Sequence, residues 1–318
     1  MSITLVPLEE KHLEDAAALV SVRSRAQRQQ TPLLPPRFED TDTILPWLRD
    51  LAGQVPGVAA LQGGRLAGFL LAMVIPEFRG KRSTFSPEWA NAADTEDSRR
   101  IYEEMYTHLS TQWVADGCHV HLVCMLSQDR PGLDAWRWLG FGLSAADGIR
   151  DLSPAPGPPV DVEIRRAETK DAGQAVTLLE ALRHHLMAAP TFLFRNEPMK
   201  VPQMRKWLAN PANALWLAYQ GSQAVACLGQ GSANPDASVI VDDEGTTSIV
   251  SAFTREDTRG EGIATALLNR ALDWGRAEGY RRCAVDWEPM NVLANRFWLR
   301  HFQPVSYALA RHIDERVA

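Results

Sequence analysis

Laid against itself at an offset of about 160 residues, the chain tells the same structural story twice. ITLVPLEEKHLEDAAALVSV near the start and VEIRRAETKDAGQAVTLLEAL further on each give an alternating strand and then a helix. Glu9, Lys11, Ala16 and Leu19 match Glu168, Lys170, Ala175 and Leu178, a shift of 159 (168 − 9). VAALQGGRLAGFLLAM and LWLAYQGSQAVACLG are both pairs of apolar runs about a turn, and their Gln62-Gly63 and Gln220-Gly221 pairs, 158 apart (220 − 62), mark hairpins. Trp113 and Trp274 close corresponding helices, and Phe141 and Phe302 end corresponding segments, both at a shift of 161 (274 − 113; 302 − 141). A near-constant offset means an internal duplication. Each half reads as strand, helical region, hairpin strands, central helix, strand, helix and final strand, a mixed α/β layout around one sheet in a length ordinary for one domain.

Between the copies, Ser153 to Val160 reads SPAPGPPV, with four prolines and a glycine in eight residues. So few donors and so stiff a backbone predict an interdomain linker, and hence domains at 1–152 and 161–318 about a linker at 153–160. With 45% apolar residues in 318, the chain has material for two cores. The formal charge of −6 argues against a nucleic-acid or anionic-membrane partner, and no apolar run approaches the length of a membrane span. The N-terminus lacks the basic start and apolar stretch of a secretory signal, which predicts a cytoplasmic protein. Cys118, Cys124, Cys227 and Cys283 show no paired spacing and fall mostly in apolar runs, as buried reduced thiols do. No metal is expected: His119 and His121 share a strand face and His184-His185 a helix, without a cysteine or acidic ligand set beside them.

The strongest local signal is TREDTRGEGIATALLNRALDW, Thr254 to Trp274. Ile263, Leu267, Ala271 and Trp274 recur at helical spacing, widened by Ala264 and Leu268, which predicts a helix from about Gly262 to Gly279. Gly260 and Gly262 let the backbone turn tightly and approach a bulky ligand ahead of it. The first amides of a helix lack internal acceptors and carry the positive end of its dipole, so an anion, above all a phosphate, is their natural partner, and Arg259 adds a full charge.

In this context the second half resembles the GCN5-related N-acetyltransferase (GNAT) superfamily. Arg259-Gly260-Glu261-Gly262-Ile263-Ala264 meets its signature of Arg or Gln, two residues, Gly, one residue, then Gly or Ala. NVLANRFW is similar to its Asn-x-x-Ala-x-x-aromatic-Tyr helix through Asn291, Ala294, Phe297 and Trp298. The motifs cover about residues 161 to 318; residues 1 to 152 share the resemblance only through topology and duplication. It implies an α/β (α+β) fold of two tandem GNAT-like domains, each a mixed, mostly antiparallel sheet flanked by helices. The activity it implies is that of an acyl-CoA-dependent N-acyltransferase. Such an enzyme moves acetyl from acetyl-CoA to a primary amine of a small molecule by direct attack in a ternary complex. Phe253 and Thr254 on SIVSAFT would offer backbone groups to the pantetheine and the carbonyl oxygen. The pyrophosphate would lie on Arg259, Gly260, Glu261, Gly262, Ile263, Ala264 and Thr265, with Asn291 and Trp298 along the CoA arm.

Two departures bear on the chemistry. The helix tyrosine that in many members protonates the departing thiolate falls on Trp298, whose indole N–H is a donor but no useful acid. The glycine of the usual Gly-Phe pair is missing as well, since His301 runs straight into Phe302. In CAVDWEPMN, alternation puts Cys283, Val285 and Trp287 on one face and Asp286 with Glu288 on the other; Glu288, at the strand end, is the candidate base. Tyr307 on the final strand is the candidate acid. Asp242, Asp243 and Glu244 read as a hairpin tip, which would favour a cationic acceptor if it reached the acceptor groove. An acyl-CoA-binding protein with little or no turnover stays open as the alternative.

The equivalent loop of the first half differs. DTEDSRRIYEEMYTHLSTQW opens its helix with Ser98, Arg99, Arg100, Ile101 and Tyr102, with no glycine, and Asp94, Glu96 and Asp97 would repel phosphate. This half reads as a degenerate copy that binds no CoA and walls the acceptor groove; Arg99 and Arg100 holding CoA in another pose is the rival reading. Exposed strand edges leave a homodimer open.

Overall fold

The structure is a computed structural model and describes residues 2–94, 96–196, 199–232 and 237–317. In chain order the first half forms β1 (Ile3–Pro7), α1 (Glu10–Gln30), α2 (Thr41–Ala52), β2 (Gly57–Gln62), β3 (Arg65–Leu71), β4 (Met73–Phe78), β5 (Lys81–Ser86), β6 (Asn91–Ala93), α3 (Ser98–Ala115), β7 (Val120–Leu126), α4 (Arg130–Trp138) and β8 (Gly142–Asp151). The second forms β9 (Glu163–Arg166), α5 (Ala172–Met187), α6 (Val201–Ala209), β10 (Ala214–Gln220), β11 (Gln223–Gly231), β12 (Thr246–Thr254), α7 (Ile263–Ala277), β13 (Arg282–Trp287), α8 (Val292–His301) and β14 (Gln303–His312). The duplicated order of the sequence is the order of the elements, except that the first half carries β4, β5 and β6 between its hairpin and central helix where the second has β12 alone. Both hairpins fall where expected, with Gly63 and Gly221 at positive φ in the turns. No helix among the described residues is long and apolar enough to cross a membrane.

The chain divides into two compact units, but not at the proline-rich segment. One comprises Met1–Ala146, Ser238–Ile240 and Pro304–Ala318, the other Asp147–Ala237 and Val241–Gln303. Two departures from the expected boundaries follow. The last strand, which the duplication assigns to the second half, pairs antiparallel with β7 from Ser306↔Leu126 to His312↔Val120 and belongs to the first unit. Every residue of β7 is buried, so its edge needs a partner, and Leu309 of β14 joins the core behind it. Conversely, residues 147–151 of β8 belong to the second unit, next to β13. The expected linker lies wholly in the second unit as well.

In the first unit, β1-β2-β3-β6 form one sheet and β4-β5-β7-β14 run side by side. The apolar stripe of α3, Ile101, Tyr102, Met105, Tyr106, Leu109 and Trp113, packs with Trp136 and Phe141 in edge-to-face aromatic contacts. Buried Asn91 bridges β6 and β7: its amide donates to the Cys124 carbonyl (3.2 Å), and its Oδ1 accepts from the Tyr102 hydroxyl (3.2 Å). His121 is buried here too. Its Nε2 donates to the Cys118 carbonyl (3.0 Å), which leaves Nδ1 to accept from the Tyr106 hydroxyl (2.9 Å), and burial pushes its pKa down to about 4.

In the second unit the strand order is β8-β13-β12-β11-β10-β9. The stripe predicted for α7 is the buried face: Ile263, Leu267, Leu268, Ala271, Leu272 and Trp274. Opposite, Ala175 and Leu178 of α5 pack with Leu215, Leu217 and Cys227. The predicted alternation on β13 holds on its inner face, where Cys283, Val285 and Trp287 are buried.

Candidate active site

β12 carries an extra residue. It pairs with β11 as Gly229↔Ser251 and then Gln230↔Ile249, so Val250 has no opposite number. A bulge of this kind adds local twist, and the parallel pairing with β13 ends just before it, at Ile249↔Val285. Beyond that point β12 and β13 part, and the backbone of Ser251 to Thr254 is left without a neighbour on the β13 side. A cavity of about 380 Å³ is lined by Ala252, Phe253 and Thr254 from this stretch.

The cavity extends to the start of α7. Gly260 and Gly262 both sit at φ 85°, the left-handed region that a side chain makes costly, and Gly262 is the N-cap. The helical ladder begins with the Ala266 N–H to the Gly262 carbonyl (3.0 Å), so the amides of Ile263, Ala264 and Thr265 have no acceptor within the helix. All three residues line the cavity, as do Arg259, Gly260 and Gly262. Arg259 folds back to donate from Nε to the Thr254 carbonyl (3.1 Å), which ties the loop to the end of β12 and keeps a cation on the wall. Glu261 is the exception among the expected loop residues: its side chain is exposed and reaches Gln220 (3.4 Å). Orphan amides, an arginine and a side-chain-free turn in one cavity suit a pyrophosphate, and the unpaired edge of β12 suits a pantetheine arm.

Asn291 caps α8, its Oδ1 accepting from the Ala294 N–H (3.4 Å). The same oxygen lies 3.3 Å from His185 Nε2 on α5. Because that oxygen can only accept, Nε2 is the donor in this contact and Nδ1 is left facing away from it. His185 and Asn291 both line the cavity, together with Leu182, Cys227, Leu293, Phe297 and Trp298. The sequence had offered a signal for His185: it follows Leu178 and Leu182 on the inward stripe of α5, a polar residue at an apolar position. Burial pushes the Cys227 thiol up to about 12, so it stays protonated and is a poor nucleophile.

The two residues expected to move protons lie otherwise. Glu288, at the end of β13, is ion-paired with Arg195 from the segment after α5. Tyr307, on β14, pairs across from Met125 and packs against the first unit's core, and burial raises its pKa. Neither lines the cavity, whereas Trp298, buried at 5% exposure, does. Asp243, expected at a solvated tip, shapes the turn into β12 by accepting from the Gly245 N–H (2.7 Å). His184 pairs with Glu180 (2.9 Å), and among the described residues no three His, Cys, Asp or Glu side chains form a metal-binding group.

Comparisons with known proteins bear on the family and the fold. Residues 179–302 match the profile of the Acetyltransferase (GNAT) family. A GCN5-related N-acetyltransferase from Sphaerobacter thermophilus superposes with a TM-score of 0.59 at 14% identity, over 98% of this chain and 95% of that one. A fungal GCN5-related glucosamine N-acetyltransferase region, part of a multi-domain β-N-acetylglucosaminidase, gives 0.53 at 12% identity, over 97% of this chain and 38% of that one. At such identities the likeness is one of fold, and it extends over both halves as two tandem GNAT-like domains. No curated protein matches the sequence.

Proposed function

We propose, from the match of residues 179–302 to the GNAT acetyltransferase family, that the second unit is an acyl-CoA-dependent N-acyltransferase that takes acetyl-CoA and a small primary amine. The observation that carries the reading is the single cavity running from the unpaired amides of α7 to the parted edge of β12. Arg259, the Gly260 and Gly262 turn and the amides of Ile263, Ala264 and Thr265 hold the pyrophosphate. The backbone of Ala252 to Thr254 aligns the pantetheine, with Asn291 and Trp298 along its other side.

The thioester supplies an activated carbonyl; the chain supplies position and proton transfer. His185, with Nε2–H fixed on Asn291 and a free Nδ1, takes the proton from the incoming ammonium. Glu288, neutralised by Arg195, holds the neighbouring segment in place rather than acting as base. A protonated Cys227 argues for direct attack of the amine in a ternary complex over an acyl-enzyme. Because Trp298 is no acid and Tyr307 lies in the other unit, the thiolate leaves to solvent or to His185 in its protonated form. The first unit, whose β6 and β7 are bridged by the buried Asn91 and whose α3 starts without a glycine, binds no CoA.

A second reading, binding of acyl-CoA without turnover, draws on the same Trp298. Calorimetric titration of CoA followed by a thiol-release assay over a panel of amines separates the two. One site per chain and amine-dependent release support the transferase; one site with no release on any amine favours the binding protein; no binding ends both.

A further inference from the structure

We propose that the proline-rich segment is a fixed wall of the CoA site, and that Asn269 on α7 is the residue that positions it; the idea rests on the acyl-CoA reading above. A stretch with four prolines in eight residues is expected to span solvent. Here it is fastened along the helix that holds the phosphates. At its start, the Leu152 carbonyl accepts from Arg276, near the far end of α7. In the middle, the Asn269 side chain closes both backbone bonds of one residue. Its Oδ1 accepts from the Ala155 N–H (2.7 Å) and its Nδ2 donates to the Ala155 carbonyl (3.0 Å). Ala155 is 4% exposed, so both bonds are sheltered from water.

At the start of α7 the segment presses onto the glycine loop itself. A Cβ on Gly262 would lie 2.7 Å from the Pro158 ring, and one on Gly157 would lie 2.7 Å from the Thr265 methyl. Gly262 is thus required twice, for its backbone angle and for the proline against it. Pro156, Gly157 and Pro158 line the same cavity as Arg259, Gly260 and Thr265. Proline brings no N–H, so the wall adds stiffness and apolar surface without a donor that would compete with the helix amides for phosphate. Its fixed φ keeps the ordering entropy low. The wall stands at the phosphate end of the cavity, so its effect belongs to recognition of the nucleotide half of CoA.

That placement gives a test in which a merely structural role reads differently. On the full-length chain, calorimetric dissociation constants are measured for CoA and for S-acetyl-pantetheine, which shares the arm but lacks the pyrophosphate. Asn269→Ala is expected to weaken CoA about tenfold and to leave S-acetyl-pantetheine within about twofold. Asn269→Asp, which keeps the acceptor for the Ala155 N–H and loses the donor, falls between. Pro158→Ala trims the wall with the clamp intact and serves if the Asn269 variants do not fold; it shows the same selectivity on a smaller scale. Equal weakening of both ligands, no change in either, or tighter CoA binding overturns the proposal. Failure of the wild type to bind CoA strikes instead at the functional reading beneath it.

Discussion

His185 reaches the cavity because α5 turns every 3.6 residues and its inward stripe runs on from Leu178 through Leu182. Its ring orientation is set from α8 by the Asn291 cap, so two elements distant in sequence fix one imidazole. Replacing it by glutamine keeps a donor toward Asn291 and removes the basic nitrogen. With an amine that the wild type acylates, His185→Gln is expected to lower kcat about 100-fold at neutral pH. CoA affinity stays within about twofold. Unchanged kcat would return the search for a base to Glu288. The other informative histidine bears on stability. His121, enclosed by Tyr106, Trp113, His119 and Arg311, is neutral in the fold with a pKa of about 4, below the 6.5 it returns to on unfolding. The unfolded chain therefore binds the extra proton, so its stabilising share is complete above pH 6.5, is lost as pH falls toward 4, and changes no further below that. His121→Gln should remove roughly 3 kcal/mol of the acid-induced loss of stability between pH 7 and pH 4, measured by urea unfolding. A wild-type slope retained by the variant would place the titration elsewhere. Neither role was legible from residue type. An alternating pair such as His119 and His121 looks the same whether it faces solvent, a metal or a tyrosine hydroxyl.

At the scale of elements, the glycine turn ahead of α7 was the most legible part of the chain. Gly260, Gly262 and the stripe from Ile263 to Trp274 are local signals, and α7 begins at Ile263 as its pattern requires. The cleft beside it was only partly legible: the resemblance placed Phe253 and Thr254 at the CoA arm. The bulge at Val250 that makes β12 diverge depends on register with β11, which no local pattern displays. Both loop glycines occupy left-handed backbone, so the double variant Gly260→Val, Gly262→Val imposes about 1–2 kcal/mol of strain at each position. It also drives a side chain into Pro158. CoA affinity should fall by a factor of about 100 or more in a titration, while the circular dichroism spectrum keeps its helical content. Retained affinity would mean that the phosphates lie elsewhere than on this turn.

At the scale of the whole molecule, duplication predicted two copies and was silent on how each copy is finished. β8 and β14 occupy equivalent places in the two halves. Nothing in either strand says which edge it will join, because pairing is settled by the edge that remains uncovered when the rest of the sheet has formed. The outcome is that β14 covers β7, while residues 147–151 of β8 complete the second unit, where Gly148 leaves room for Trp287 and Phe302 to pack against its backbone. A chain cut at 152/153 therefore yields two pieces, each lacking a strand that its own core requires. Expressed alone, residues 153–318 expose the β13 edge and leave β14 with no β7 to pair with; residues 1–152 expose β7. Both pieces should aggregate or remain partly unfolded when made separately, and should form a soluble, CoA-binding pair when made together, read by size-exclusion chromatography and calorimetry. A monomeric, folded 153–318 fragment with wild-type CoA affinity would show that the exchanged strands are dispensable. The distinction matters for locating the site by dissection: loss of binding in the isolated half would then reflect a missing strand, so variants of the intact chain are the sounder probe of the α7 cavity.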